Sequence, residues 1–464
     1  MKFSVTIFII FIFSNILPAQ IPFVVIDSIE ISGNSHTKDY IIINELDFEK
    51  GDTVYFTKLE KIFNDNKNRL LSTGLFVDAG FNLKKYNSYT GKATISIKII
   101  ESWYIYPSFY FELTDRNFND WFYDHDARLN RINIALDLKH KNLTGNHDPL
   151  KIKIQRGITN KLELQYIRPF LNMNHRIGFI FNSMYKYSKE IAYDTKYNKL
   201  VLYMDENKYM FRQFRLVLGL IYRPELYLTH KFEMSFHDNL IDTLIQNKYN
   251  SVFFIDNPVQ RYFELKYSFF YDKREFKVYP QGGYFLGFSL EKSGVGIFND
   301  LNILNLYISG EKYFSINKNF ISVYKLKAKK RLFNNKSPYF NNKSLGYEEN
   351  YLNGYELYVI DGKDYFYIKS EQKIKLFSGN FNFKRIVNMS QFQLIPYKFY
   401  LSFNFDLGYV NNNINFVLNN FANRLLYGYG PGLDLIIYNN YFQINYSINH
   451  TGEGGIFFHY KTKI

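Results

Sequence analysis

Leu401-Ser-Phe-Asn-Phe-Asp-Leu-Gly-Tyr409 sets one apolar residue beside one polar or small residue for its whole length. Successive side chains on an extended chain point to opposite faces, so a period of two with one apolar face is a half-buried strand. The same pattern recurs. Ile132, Ile134, Leu136 and Leu138 alternate with Asn133, Ala135, Asp137 and Lys139. Leu150, Ile152 and Ile154 alternate with Lys151, Lys153 and Gln155, and Phe442, Ile444, Tyr446 and Ile448 with Gln443, Asn445, Ser447 and Asn449. Each unit runs about ten residues and ends in a polar turn. About ten residues at ~3.4 Å each, tilted by about 45°, rise roughly 24 Å, the height of the apolar band of a transmembrane barrel.

Working outward, candidate strands fall at 103–113, 130–140, 149–157, 160–169, 175–187, 208–222, 226–238, 260–273, 281–291, 302–314, 319–331, 364–377, 397–410, 425–438, 441–450 and 454–464. That is sixteen, and bacterial single-chain barrels have even numbers. Residues 190–206 could form another strand, in which case the count or a neighbour is wrong. A soluble sandwich needs a second sheet over each apolar face. Apolar faces on every strand, with nothing to cover them, favour lipid.

Composition agrees. Tyr 42 and Phe 47 bring aromatics to 20%, as interfacial girdles require, while mean hydropathy is only −0.27. No internal run approaches the eighteen or more apolar residues of a spanning helix. The net charge of +14 is spread along strands rather than gathered in an arm or patch, which argues against nucleic acid as a partner. Lysines facing a lumen or anionic lipid head groups account for it. With no cysteine, a lipid-anchored Cys, a thiolate metal site and a disulfide are all excluded.

Lys2, the apolar run Phe3 to Ile16 and then Leu17-Pro18-Ala19 read as a secretory signal peptide over 1–19, cleaved after Ala19 to leave Gln20. Residues 20–101 form a small α/β unit. Val24 to Ser32 is a strand closing at Gly33-Asn34, and Thr37 can cap a short helix with Tyr40, Ile41 and Leu46. Thr57 and Glu60 form a capping box for a second helix with Leu59, Ile62, Phe63 and Leu70 on one face, ending at Gly74. Strands Leu75 to Leu83 and Ala93 to Glu101 follow, giving the order β-α-α-β-β.

Here a resemblance becomes specific. Ile29 to Thr37 has the pattern I-x-I-x-G-N-x-x-T that opens POTRA domains, and Leu70-Leu-Ser-Thr-Gly-Leu-Phe76 resembles their helix-to-strand segment. Between two strong strands, the longest stretch without alternation, about 332–363, contains Leu352-Asn353-Gly354-Tyr355. This is similar to the [VIL]-R-G-[FY] motif that Omp85-superfamily proteins carry in a loop folded into the lumen, with Asn353 where the family has Arg. Tyr358-Val-Ile-Asp-Gly362, Gly428-Tyr-Gly-Pro-Gly-Leu-Asp434 and Asn449-His-Thr-Gly-Glu-Gly-Gly455 resemble Bacteroidetes-type members of the bacterial surface antigen D15 kind. The resemblance implies a mainly β protein: an N-terminal POTRA domain, then a 16-stranded antiparallel transmembrane β-barrel over 102–464.

In the family the loop arginine reaches acids on the inner wall, and Glu371 and Asp406 match those positions. Asn353 can offer only a neutral amide, so the loop is held more weakly or a nearby Lys supplies the charge. The plainer alternative pairs Glu371 and Asp406 with lumen lysines such as Lys373 and Lys375. The barrel seam joins about 103–113 to about 454–464, with Gly454 and Gly455 at the start of the last strand.

Chemistry-bearing constellations are sparse. The nine histidines form no H-E-x-x-H, and G-x-S-x-G is missing. Asp124-His125-Asp126 reads as a solvated turn, not a metal site, and the Gly428–Gly432 stretch as close strand packing, not a phosphate cradle. Neither an enzyme nor a cofactor is expected. The resemblance implies a factor in the outer membrane, its POTRA domain in the periplasm, that receives unfolded or exported client proteins and helps them insert or cross. Outer-membrane lipids and periplasmic or lipoprotein accessory factors are its other expected partners. A two-partner-type secretion pore and a passive channel are the alternatives.

Overall fold

The computed structural model describes residues 23–115, 120–171, 176–254, 257–275, 279–298, 301–333, 337–347, 350–383, 385, 393–412, 418–437 and 440–462. The expected signal peptide, 1–19, lies outside the described residues.

The N-terminal unit comprises β1 (Phe23–Ser32), α1 (Asp39–Ile43), β2 (Thr53–Tyr55), α2 (Phe56–Ser72), β3 (Phe76–Lys84) and β4 (Lys92–Glu101). Its sheet runs β2-β1-β4-β3, with β1 and β4 parallel. The inward positions of these strands meet the apolar helix faces in a core of Ile26, Ile41, Ile42, Leu70, Ile95 and Ile97. Two local expectations fail. Helix α2 begins at Phe56 with Tyr55 at its cap position and no side-chain cap, so Thr57 lies within the first turn and the capping box does not form. The cause is β2: Tyr55 is fixed opposite Phe23, and the chain passes from ladder to helix without a loop. Thr37 likewise does not cap α1, whose cap position is Lys38. Its hydroxyl meets Tyr104 Oη at 2.7 Å and accepts from Asn142 Nδ2 at 3.0 Å instead.

The large sheet starts with β5 (Ile105–Leu113), β6 (Ile132–His140), β7 (Leu150–Arg156), β8 (Thr159–Arg168) and β9 (Ile177–Ser188). A hairpin, β10 (Glu190–Lys196) and β11 (Lys199–Met204), precedes β12 (Phe211–Glu225), β13 (Leu228–Ile241), β14 (Val259–Asp272), β15 (Gly283–Ser293), β16 (Ile303–Ser315) and β17 (Phe320–Arg331). The long loop carries β18 (Lys343–Leu345) and β19 (Ile360–Asp361). Then come β20 (Asp364–Asn382), β21 (Leu394–Asn411), β22 (Leu425–Ile437), β23 (Asn440–Asn449) and β24 (Gly454–Thr462).

Sixteen of these make one antiparallel meander from β5 to β24. Each sequence-predicted segment corresponds to one strand. Residues 190–206 do not enter the sheet, because β12 pairs directly with β9, Phe211 opposite Ser188, and the hairpin stands beyond them as its own two-stranded sheet.

Burial is inverted relative to a water-soluble sheet. Along β21, Leu401, Phe403 and Phe405 are 42%, 50% and 44% exposed, whereas Ser402, Asn404 and Asp406 are 2%, 1% and 0% exposed. The apolar face looks out and the polar face in, the arrangement of a transmembrane barrel. Contacts across the interior show the sheet rolled up: the ring of Tyr279, after β14, packs at a tilt against Tyr400 of β21 and Tyr441 of β23 at 5.1 and 5.5 Å. Among the described residues, the end strands β5 and β24 share no ladder.

Candidate functional site: the lumen loop and the seam

The long loop turns inward. Leu352, Asn353 and Tyr355 are buried, and Gly354 adopts φ +82°, a left-handed conformation that glycine takes without penalty. That turn lays the motif on the inner faces of β21 to β23. The wall is shaped for it: a Cβ on Gly428 would fall 1.8 Å from the Asn353 carbonyl oxygen. The run Gly428-Tyr-Gly-Pro-Gly432 therefore opens space on β22, since alternate inward positions are glycine.

Asn353 meets Asp406 through its main chain, N–H to Oδ2 at 2.8 Å. Its side chain turns the other way, and Oδ1 accepts from Asn445 Nδ2 at 3.1 Å. The cation beside Asp406 is Lys369, with Nζ 3.2 Å from the same oxygen, and the Tyr351 ring covers that ammonium at 4.2 Å. Glu371 is not brought to the motif. It pairs with Lys325 and, at 2.9 Å, with Lys373, which also stands 2.9 Å from Asp434. Lys375 makes no ion pair among the described residues. Sequence reasoning missed Lys325, Lys369, Asp434 and Asn445. The signal existed in part: Lys369, Glu371 and Lys373 share one face of β20 at spacing two.

Further along, the loop grips the last hairpin. Tyr355 Oη bonds His450 Nδ1 and donates to the Tyr427 carbonyl, and Tyr358 Oη donates to Glu453. On β24 itself, His459 stacks flat on Tyr351 at 4.7 Å and lies 3.5 Å from Glu356. The loop thus braces the C-terminal side of the seam. Gly454 and Gly455 begin β24 and pair with Ile448 and Ser447 of β23. On the other side of the seam, Phe109 and Phe111 of β5 are 78% and 74% exposed.

At the opposite end of the barrel the small domain is docked. The turn Gly33 to Thr37 aims the backbone amides of Ser35, His36 and Thr37 at Glu101, the last residue of β4. Burial alone would raise that carboxyl, but these bonds and the Thr37, Ser35 and Tyr104 hydroxyls outweigh it and hold it down at about 2. Glu45 forms a bidentate pair with Arg223 at 2.6 and 3.1 Å, and Arg69 donates to Tyr227 Oη at 2.7 Å. Phe170, from the turn after β8, completes the small domain's core.

His125 lies 3.2 Å from Asp115, and the Asp124 side chain is outside the described residues. Among the described residues, no group of three or more His, Asp or Glu is placed to hold a metal ion.

A sixteen-stranded barrel, apolar outside and polar within, with a small α/β domain docked at one end, belongs to the outer-membrane type. Residues 24–102 match the family model described as POTRA, surface antigen variable number repeat. The structure of BamA from Haemophilus ducreyi lacking POTRA domains 1–3 superposes with a TM-score of 0.54 at 14% identity, covering 94% of this chain and 84% of that one. CdiB from Acinetobacter baumannii superposes with a TM-score of 0.50 at 12% identity, covering 95% and 74%. No curated protein sequence matches the chain. In fold, the chain is similar to both of these structures, with one domain that matches the POTRA model ahead of a sixteen-stranded barrel.

Proposed function

We propose that the protein is an outer-membrane assembly factor, its POTRA domain in the periplasm, that receives unfolded client polypeptides and helps them insert into or cross the membrane. One observation carries this reading: the end strands of the barrel sheet, β5 and β24, are not laddered to each other among the described residues. On each, the amides and carbonyls of alternate residues face the open edge and have no ladder partner among the described residues. An unpaired edge templates a new strand, and a closed barrel has nowhere else to show one. In the POTRA sheet, β3 is also an edge strand and can add an extended client segment by main-chain hydrogen bonding. Accessory factors would compete for that same edge.

The test is the rate at which an unfolded model barrel protein folds into liposomes with and without this protein, read by gel mobility of the folded band. Acceleration that disappears on deleting residues 24–101 supports assembly. Bridging β5 to β24 with a short crosslinker, straightforward in a chain without cysteine, must also abolish it. No acceleration, together with steady conductance in the same vesicles, replaces this reading with a secretion pore or passive channel.

A further inference from the structure

We propose that the lipid-facing rim formed by Arg156, Tyr187 and Arg212 binds the phosphate of an outer-leaflet lipid headgroup. The three residues lie at the barrel end opposite the POTRA domain: Arg156 ends β7, Tyr187 is next to last in β9, and Arg212 is second in β12. That this end faces outward from the cell rests on the function proposed above.

Parity puts all three on the lipid side. Arg156 follows Ile154 on its face, Tyr187 follows Tyr185, and Arg212 shares its face with Leu218 and Leu220, each of these apolar or aromatic residues more than 40% exposed. They are also adjacent. Arg156 Nη1 donates to Tyr187 Oη at 2.8 Å, and Tyr187 sits directly opposite Arg212 in the β9–β12 ladder. Tyr209 closes edge-on against Tyr187 at 4.6 Å, which orients the ring beside the Arg156 guanidinium.

What marks the site is its unbalanced charge. Two other cations on the same rim are neutralised on the spot, Arg261 by Asp238 at 3.1 Å and Lys330 by Asp364 at 2.8 Å, and a third, Lys292, is held by the neutral oxygens of Gly294 and Asn302. Among the described residues, no carboxylate pairs with Arg156 or Arg212. Two arginines without acids, on an apolar wall at the level of a tyrosine belt, complement an anion that the membrane itself brings there. Guanidinium forks bind phosphate through paired hydrogen bonds, and a tyrosine hydroxyl beside them adds a donor. An acyl chain would then lie along the apolar groove below, bounded by Leu218, Leu220, Phe232 and Met234.

The experiment is native mass spectrometry of the full chain in micelles with added diphosphorylated lipid A, its dephosphorylated analogue, or inorganic phosphate. The expected result is retention of lipid A, at least tenfold weaker in the Arg156→Gln/Arg212→Gln variant and unchanged in Arg261→Gln. The dephosphorylated analogue should bind wild type only at the level of the double variant. Equal retention by wild type and double variant, or of both lipid forms, overturns the proposal, as does binding of inorganic phosphate without preference for the lipid. Retained heat-modifiable gel mobility confirms that the variants fold. The readout is independent of assembly activity, so lipid binding without accelerated folding leaves this site standing and removes the assembly reading. Orientation is read separately, by an impermeant maleimide on Asn207→Cys in intact cells. Lack of labelling there overturns the outer-leaflet assignment.

Discussion

The backbone amide of Asn353 and the ammonium of Lys369 converge on one oxygen of Asp406, at 2.8 and 3.2 Å. The loop is therefore anchored by its main chain, and the charge on the wall is balanced by the wall itself. A side chain at 353 is free to differ from arginine because neither contact requires it. Placing Arg there gives up the Asn445 bond and adds a second cation to a carboxylate already paired, so Asn353→Arg should not raise protease protection of the loop.

Asp406→Asn should have the opposite effect. It leaves Lys369 in the lumen without its partner, and breaking a buried pair by removing one member costs about 3–5 kcal/mol. Faster proteolysis within 337–363 and a lower unfolding midpoint are expected, with partial recovery in the Lys369→Met/Asp406→Leu double variant. Wild-type protection in Asp406→Asn would show that the pair does not hold the loop.

Gly428→Ala tests the wall rather than the charge. A methyl 1.8 Å from the Asn353 carbonyl cannot be accommodated, so loop or strand must shift, at a cost of about 1–3 kcal/mol. Gly310→Ala is the control, since its Cβ would meet nothing closer than 3.8 Å. Loop cleavage by protease should rise in the first variant and not in the second.

These contrasts bear on what the sequence could tell. The strands were legible because lipid on one side and a polar lumen on the other force a strict period of two, as Leu401 to Tyr409 displays. The 190–206 hairpin was ambiguous because an extramembrane hairpin alternates like a spanning one, and only the direct pairing of Phe211 with Ser188 resolves it. The inward loop was approachable through a motif, but its contacts were not. Glu371 and Asp406 carry equivalent inward positions, and which of them meets Asn353 depends on tertiary placement. The caps expected at Thr37 and Thr57 do not form for a related reason: propensity yields to docking in the first case and to the β2 ladder in the second.

Arg223→Met should release the POTRA domain from the barrel. Its guanidinium ends the inner face of β12 and clamps Glu45, both largely buried, so the substitution removes the bidentate pair that joins the two domains. A cost of about 2–3 kcal/mol is expected, discounted from the fully buried case for the remaining solvent contact. Spin labels on Asn64→Cys and Lys318→Cys should give a broadened distance distribution, whereas Arg261→Gln should not. Unbroadened distances would mean that Phe170 and the contacts of Thr37 with Tyr104 and Asn142 suffice for docking.

Glu101 makes the turn from Gly33 to Thr37 sensitive to acid only far below the ordinary carboxylate range. Its carboxyl is held at about 2 in the folded chain against 4.5 unperturbed, so it contributes stability that is fully present above about pH 4.5. That contribution is lost as pH falls from 4.5 through 2, when protonation takes the acceptor from the amides of Ser35, His36 and Thr37. Trp103, two residues on and 45% exposed, is placed to report the change by its emission. The emission should stay flat from pH 7 to 4 and shift with a midpoint near 2, and Glu101→Gln should remove the transition and give the loosened signal throughout. A wild-type midpoint near 4.5 would mean that the amides do not hold the carboxylate and that the turn from Gly33 to Thr37 is fixed by Tyr104 and Asn142 alone.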